Sequence, residues 1–121
     1  MDVSEYKALL APKNEHDLQV AICKILDDYK IEYFAVPNGG KRHVGVAKKL
    51  KAEGVKAGVA DLVILLKGGK TVFVELKMPR NSQQDTQKNF EARLNKLGFK
   101  YLIWRSVNDA MEFICTIKPK I

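Results

Sequence analysis

Apolar positions along this chain of 121 residues follow two different periods. Leu18, Ile22, Ile25, Leu26 and Tyr29 recur at helical spacing. Asn14 suits the N-cap of that helix, and Asp17 three residues on completes a capping-box pattern. The run IEYFAVP then reads as a strand stopped by Pro37. NGG marks a turn or open loop, and VAKKLKAEG a short helix ending at Gly54. Two apolar runs, DLVILL and TVFVELK, flank Lys67-Gly68-Gly69-Lys70 and predict a hairpin. Ser82 and Asp85 form a second capping-box pattern before QQDTQKNFEARLNKLG, where Phe90, Leu94 and Leu97 make one apolar stripe and Gly98 the stop. KYLIWR is a final strand, and Ser106 with Asp109 caps a last helix running to about Cys115. The order α β α β β α β α predicts an α/β or α+β fold with helices packed on a central mixed sheet. The length suggests one domain over residues 1–121.

Three charges interrupt the otherwise apolar hairpin: Asp61, Glu75 and Lys77. Side chains alternate faces along a strand, so Glu75 and Lys77 share one. The turn decides whether Asp61 joins them. A two-residue Gly68-Gly69 loop sets Asp61 opposite Leu76, on the other face from Glu75. A three-residue loop spanning 67–69 sets Asp61 directly across from Glu75, because a one-residue slip flips every side chain. We expect the odd-numbered loop, since two facing acids are tolerated when they share a cation. A hard ion such as Mg²⁺ takes one or two carboxylates and keeps several waters, at about 2.0–2.1 Å. Lys77 would then stand beside the ion's substrate, its ammonium able to hold a phosphate oxygen or an attacking water. The plainer reading makes Asp61 the solvated start of a strand and Glu75–Lys77 an exposed ion pair. Strands apolar on both faces argue against that reading.

Charge changes the picture further. The net charge is +7 and the pI about 9.4, a balance that suits a polyanionic partner. Residues 37–56 carry Lys41, Arg42, His43, Lys48, Lys49, Lys51 and Lys56, with Glu53 the only acid. This segment is the candidate grip on nucleic-acid phosphates, and it offers no evident base-reading set. Cys23 and Cys115 lack metal-ligand spacing and read as buried free thiols of a reducing compartment. No apolar run reaches the length of a membrane span, and the N-terminus lacks the basic start of a signal peptide, so an intracellular, cytoplasmic address is expected. Lone His16 reads as surface, and Trp104, in a strand, as core.

Asp61, the hairpin and then Glu75-Leu76-Lys77 resemble the PD-(D/E)XK nuclease core, a restriction-endonuclease-like fold. PNGG with Arg42, AEGVKAGVADLVIL, VFVELK, SQQDTQ and LGFKYLIWRS narrow the resemblance to the VRR-NUC (virus-type replication and repair nuclease) family, in a stand-alone phage or bacterial form. The likeness runs over residues 15–110. It implies a Mg²⁺- or Mn²⁺-dependent phosphodiester hydrolase in which Asp61, Glu75 and the Leu76 main-chain carbonyl hold the metal and Lys77 is the catalytic lysine. Glu15 matches the family's helical acid, acting on the metal through water or supporting a second ion. Gln87 matches its helical glutamine, orienting Lys77 or a phosphate, with Gln84 as a rival for that role. Gly54 and Gly58 match glycines that shape the turn into the aspartate strand. Ala60 stands where the family commonly has proline, and MPRNSQQ after the lysine is untypical.

The resemblance also implies DNA as substrate, with branched DNA such as four-way (Holliday) junctions preferred. A two-fold homodimer supplies two symmetric cuts naturally. A viral form would act in the host cytoplasm. The alternatives are a less specific nuclease of flaps, nicks or duplex, and a DNA-binding module whose nuclease site is vestigial.

Overall fold

The computed structural model describes residues 11–37 and 44–117. Helix α1 spans Glu15–Asp28, strand β1 Glu32–Ala35 and helix α2 Val44–Ala52. Strand β2 spans Leu62–Leu66 and β3 Lys70–Leu76, joined by a tight turn at Lys67–Gly69. Helix α3 (Asp85–Leu97), strand β4 (Lys100–Trp104) and helix α4 (Val107–Ile117) complete the order read from the sequence. Lys41, Arg42 and His43, assigned to the basic segment, lie outside the described residues.

The strands form one mixed sheet in the order β1-β2-β3-β4. β1 with β2 and β2 with β3 are antiparallel, whereas β3 with β4 is parallel, as the intervening helix α3 requires. Leu62, Ile64, Val74, Leu76 and Trp104 fill one face and meet α1 and α4 through Leu18, Ile22, Ala110 and Ile114. On the other face α3 covers Phe73, Tyr101 and Ile103 with Phe90 and Leu94. Phe73 meets Phe90 and Phe99 edge-on, at 6.0 and 5.5 Å between ring centres. Burial on both faces explains the nearly continuous apolar runs of the hairpin.

Two predicted caps form. Asn14 accepts from the Asp17 N–H at 2.8 Å, and Ser106 from the Asp109 N–H at 3.2 Å. The third does not. Helix α3 starts at Asp85, so Ser82 stands too far upstream to cap it, and the Gln87 side chain reaches back to the Gln84 N–H at 2.8 Å instead. Leu97, the last residue of α3, leaves the expected stripe and is 72% exposed. Cys23 is half-buried and Cys115 exposed, so the expectation of two buried thiols fails at Cys115, which lies on the outer side of α4. Trp104 is core, and His16 is exposed. No helix among the described residues is long and apolar enough to cross a membrane.

Candidate active site

The turn at Lys67–Gly69 sets the site. Gly68 and Gly69 adopt left-handed φ values of 77° and 73°, which a side chain would resist. Three turn residues pair Leu62 with Val74 and Val63 with Phe73. That register continues to Asp61 opposite Glu75, the odd-numbered arrangement expected from the sequence. The alternating pleat places both acids on the α3 face of the sheet. Lys77 follows β3 by one residue and extends the parallel ladder, its N–H donating to the Trp104 carbonyl at 3.1 Å. Its side chain therefore keeps the alternation and joins Glu75.

Asp61 stands at the mouth of β2. Its main-chain carbonyl accepts from the Val36 N–H at 2.8 Å, toward β1. Its Oδ2 accepts from the Leu76 N–H at 2.8 Å, so a carboxylate replaces the next ladder carbonyl. A strand residue's N–H and C=O project to the same side, which turns the Leu76 carbonyl toward Asp61 as well.

Glu75 is 2% exposed and Lys77 6%. An exposed ion pair on an amphipathic strand is thereby excluded. One Glu75 oxygen, Oε2, accepts from the Gln87 amide at 2.9 Å. The other, Oε1, is buried with no hydrogen-bond partner. Burial first, then the neighbouring Asp61 carboxyl, and last a smaller push from Glu15 together raise the Glu75 carboxyl to about 9, against the opposing charge of Lys77. Glu15, exposed in the first turn of α1, thus acts electrostatically on the same carboxylate.

Helix α3 arrives at the site through Gln87, and the loop before β2 fixes where that helix begins. Gly58 lies so close to the helix that a Cβ there would sit 2.3 Å from the Thr86 carbonyl oxygen and 2.8 Å from the Gln87 nitrogen. Gly54, also at positive φ, has open space around it and serves the turn rather than the packing. Gln87 contacts Glu75, where the sequence suggested Lys77 or a phosphate. The rival, Gln84, contributes its backbone to holding Gln87.

Arg105 went unnoticed in the sequence. Its guanidinium donates to the carbonyls of Met78, at 3.1 Å, and Asn81, pinning the turn that leaves Lys77. Its own N–H donates to Asp109 Oδ2 at 2.7 Å. Gln83 fixes the next stretch, donating to Glu91 and to the Tyr101 hydroxyl, both at 3.2 Å. An arginine at a strand end carries no sequence signal that distinguishes it from a solvated charge.

No group of three or more His, Cys, Asp or Glu side chains gathers into a metal cluster among the described residues. Two carboxylates, one with an orphaned buried oxygen, and a carbonyl turned toward them still match a hard divalent ion, which takes one or two carboxylates and completes its shell with water. Helix α2 buries none of its residues, and Lys48, Lys49, Lys51 and the following Lys56 are all exposed.

Comparison with known proteins bears on the family and the fold. The family model described as the VRR-NUC domain matches residues 13–108. A solved structure described as a VRR-NUC domain is similar at a TM-score of 0.61 and 19% identity, covering 83% of this chain and 92% of its own. A second, described as a VRR-NUC domain protein, is similar at a TM-score of 0.67 and 22% identity, covering 86% of this chain and 87% of its own. No curated protein matches the chain.

Proposed function

The chain belongs to the VRR-NUC family, nucleases of the PD-(D/E)XK type, and from that premise we propose that it is a Mg²⁺- or Mn²⁺-dependent DNA endonuclease acting on branched DNA. The observation that carries the reading is the Asp61–Glu75 pair, with Glu75 Oε1 buried and unpartnered. Ionising a buried carboxyl that has one oxygen unpartnered is costly, so the carboxyl holds its proton, and a cation between the acids would offset the cost of losing it.

Asp61, Glu75 and the Leu76 carbonyl would hold the ion, with Glu15 reaching it through water. Bound there, such an ion supplies Lewis acidity to the phosphodiester and to the attacking water. The residues of the chain do the rest. Gln87 fixes the Glu75 carboxylate in one orientation. Lys77, buried beside Glu75, offers its ammonium to a non-bridging phosphate oxygen or to the nucleophile, where negative charge develops. The sheet and α3 wall off bulk water on one side. Lys48, Lys49, Lys51 and Lys56, with Lys41, Arg42 and His43, would neutralise backbone phosphates, reading shape more than sequence. Four-way junctions are the proposed substrate, cut in pairs by a two-fold homodimer. We take residues 1–121 as one domain working inside the cell.

The test uses labelled junction, flap and linear duplex DNA with Mg²⁺, Mn²⁺ or chelator, alongside Asp61→Ala. Metal-dependent cutting of the junction that disappears in the variant supports the reading. Equal cutting by parent and variant removes the active-site assignment. Binding without cutting by either leaves a DNA-binding module.

A further inference from the structure

A second feature begins at Met78, one residue past Lys77. A cleft lies between the start of α1, with Lys13 and Glu15, and the turn after β3, with Met78, Arg80 and Asn81. Two of its walls therefore belong to residues already tied to the reaction centre. Glu15 acts electrostatically on Glu75, and Met78 follows Lys77 in the chain. Lys13 and Arg80 contribute two positive charges against the single carboxylate of Glu15. Both are exposed, and among the described residues neither has a hydrogen-bond or ion-pair partner. The Arg80 wall is rigid: Asn81 N–H donates to the Met78 carbonyl at 3.0 Å, and Arg105 holds both carbonyls from behind.

We propose that this cleft is a backbone-phosphate subsite, in which Lys13 and Arg80 grip the phosphate next to the one being cut. The proposal rests on the nuclease reading and extends it. A polynucleotide with one phosphate at Asp61, Glu75 and Lys77 must place the next within one nucleotide of them. The cleft is lined by Met78, the residue after Lys77, and by Glu15, and it supplies two cations without partners among the described residues. Arg80 can present its fork bidentately to phosphate oxygens, and Lys13 acts as a point charge. Preorganisation by Arg105 means that the wall need not be ordered when the strand arrives.

The experiment measures binding of labelled duplex and four-way junction DNA across a salt series in chelator, so that no cutting intervenes. Lys13→Gln with Arg80→Gln is compared with Lys24→Gln with Lys96→Gln, which removes the same charge far along α1 and α3. The cleft variant is expected to lose roughly tenfold in affinity, and its plot of log affinity against log salt to flatten by roughly two, about 0.9 per phosphate contact. The control pair should lose much less. With Mg²⁺ or Mn²⁺ the cleft variant should show a raised KM with kcat nearly kept. Equal losses in both pairs, or an unchanged slope in the cleft pair, overturn the subsite. A parent that binds with the expected slope difference but never cuts contradicts the nuclease reading and leaves the subsite supported. A parent that binds no DNA ends both.

Discussion

Gln87 donates its side-chain amide to Glu75 Oε2 at 2.9 Å while its own oxygen accepts from the Gln84 N–H at 2.8 Å. One side chain thus starts helix α3 and holds a carboxylate of the site. The two roles separate by substitution. Gln87→Glu keeps the acceptor that caps the helix but sets a second carboxylate against Glu75. Gln87→Ala loses both. Activity should fall about 10–100-fold in each, the usual cost of removing a group that orients a metal ligand. Thermal unfolding should show a loss of about 1 kcal/mol in Gln87→Ala from the missing cap, and this part should be spared in Gln87→Glu. Parallel kinetics and calorimetry on the two variants check the separation.

Gly58 joins the basic helix to the site by contact alone. Its φ of 79° already disfavours a side chain, and an added Cβ would overlap the Thr86 carbonyl at 2.3 Å. Neither obstacle is a flexible side chain that could swing away. Gly58→Ala should therefore destabilise by about 2–4 kcal/mol, from strain and overpacking together. Gly54→Ala, with open space around it, should cost only about 1–2 kcal/mol of backbone strain. Denaturant unfolding of the two variants measures the difference. Equal costs would mean that Gly58 does not press on α3.

The contrast between these glycines shows what the chain discloses and what it withholds. Periodicity located the elements that bury a face, because such burial leaves a local trace, whereas β1 and α2, which bury little, were marked by residue type and by their stops at Pro37 and Gly54. The hairpin register was also legible, since Asp61 and Glu75 make chemical sense only on one face. The Ser82 cap failed because its pattern fits a helix starting earlier than Asp85, and a longer side chain, Gln87, could reach the same backbone. Leu97 failed because helical spacing cannot say that Phe99, just past the helix, packs on Phe73 while Leu97 stays exposed. Glu75's pairing with Gln87 and Arg105's hold on residues 78–81 span 12 and up to 27 positions and leave no local pattern.

Arg105 offers a test of how far rigidity behind Lys77 matters. One guanidinium nitrogen, Nη1, held by the rigid planar group, satisfies both carbonyls, whereas an ammonium on a flexible stem would have to be ordered to meet them. Arg105→Lys should retain most stability but loosen the turn, and Arg105→Met should lose about 1–3 kcal/mol, with the Asn81 carbonyl losing its arginine donor and the Met78 carbonyl keeping only the Asn81 N–H. Amide exchange at Asn81, which donates to Met78, should quicken in both. If exchange there is unchanged in Arg105→Met, the turn is held by other means.

Glu75 gives the last prediction, because its proton is tied to folding. The folded protein holds that proton up to about 9, against about 4.5 for an unperturbed carboxyl. Between those values the folded chain binds more protons than the unfolded one, so the sign is fixed: metal-free stability declines as pH rises from about 4.5 toward 9. Below that interval both states are protonated and the penalty vanishes. Glu75→Gln removes the titration while keeping the shape, and Asp61 remains beside Lys77. The variant should show a flatter dependence and, at pH 8 in chelator, stability above the parent by about 1–3 kcal/mol, with cleavage abolished. Mg²⁺ or Mn²⁺ should stabilise the parent increasingly as pH rises, since binding displaces the proton, and should leave Glu75→Gln nearly unmoved. Unfolding curves at several pH values, with and without ion, read all of this. A Glu75→Gln protein less stable than the parent at pH 8 would mean that the carboxylate is ionised and paired with Lys77, and the cation would lose its thermodynamic reason to bind.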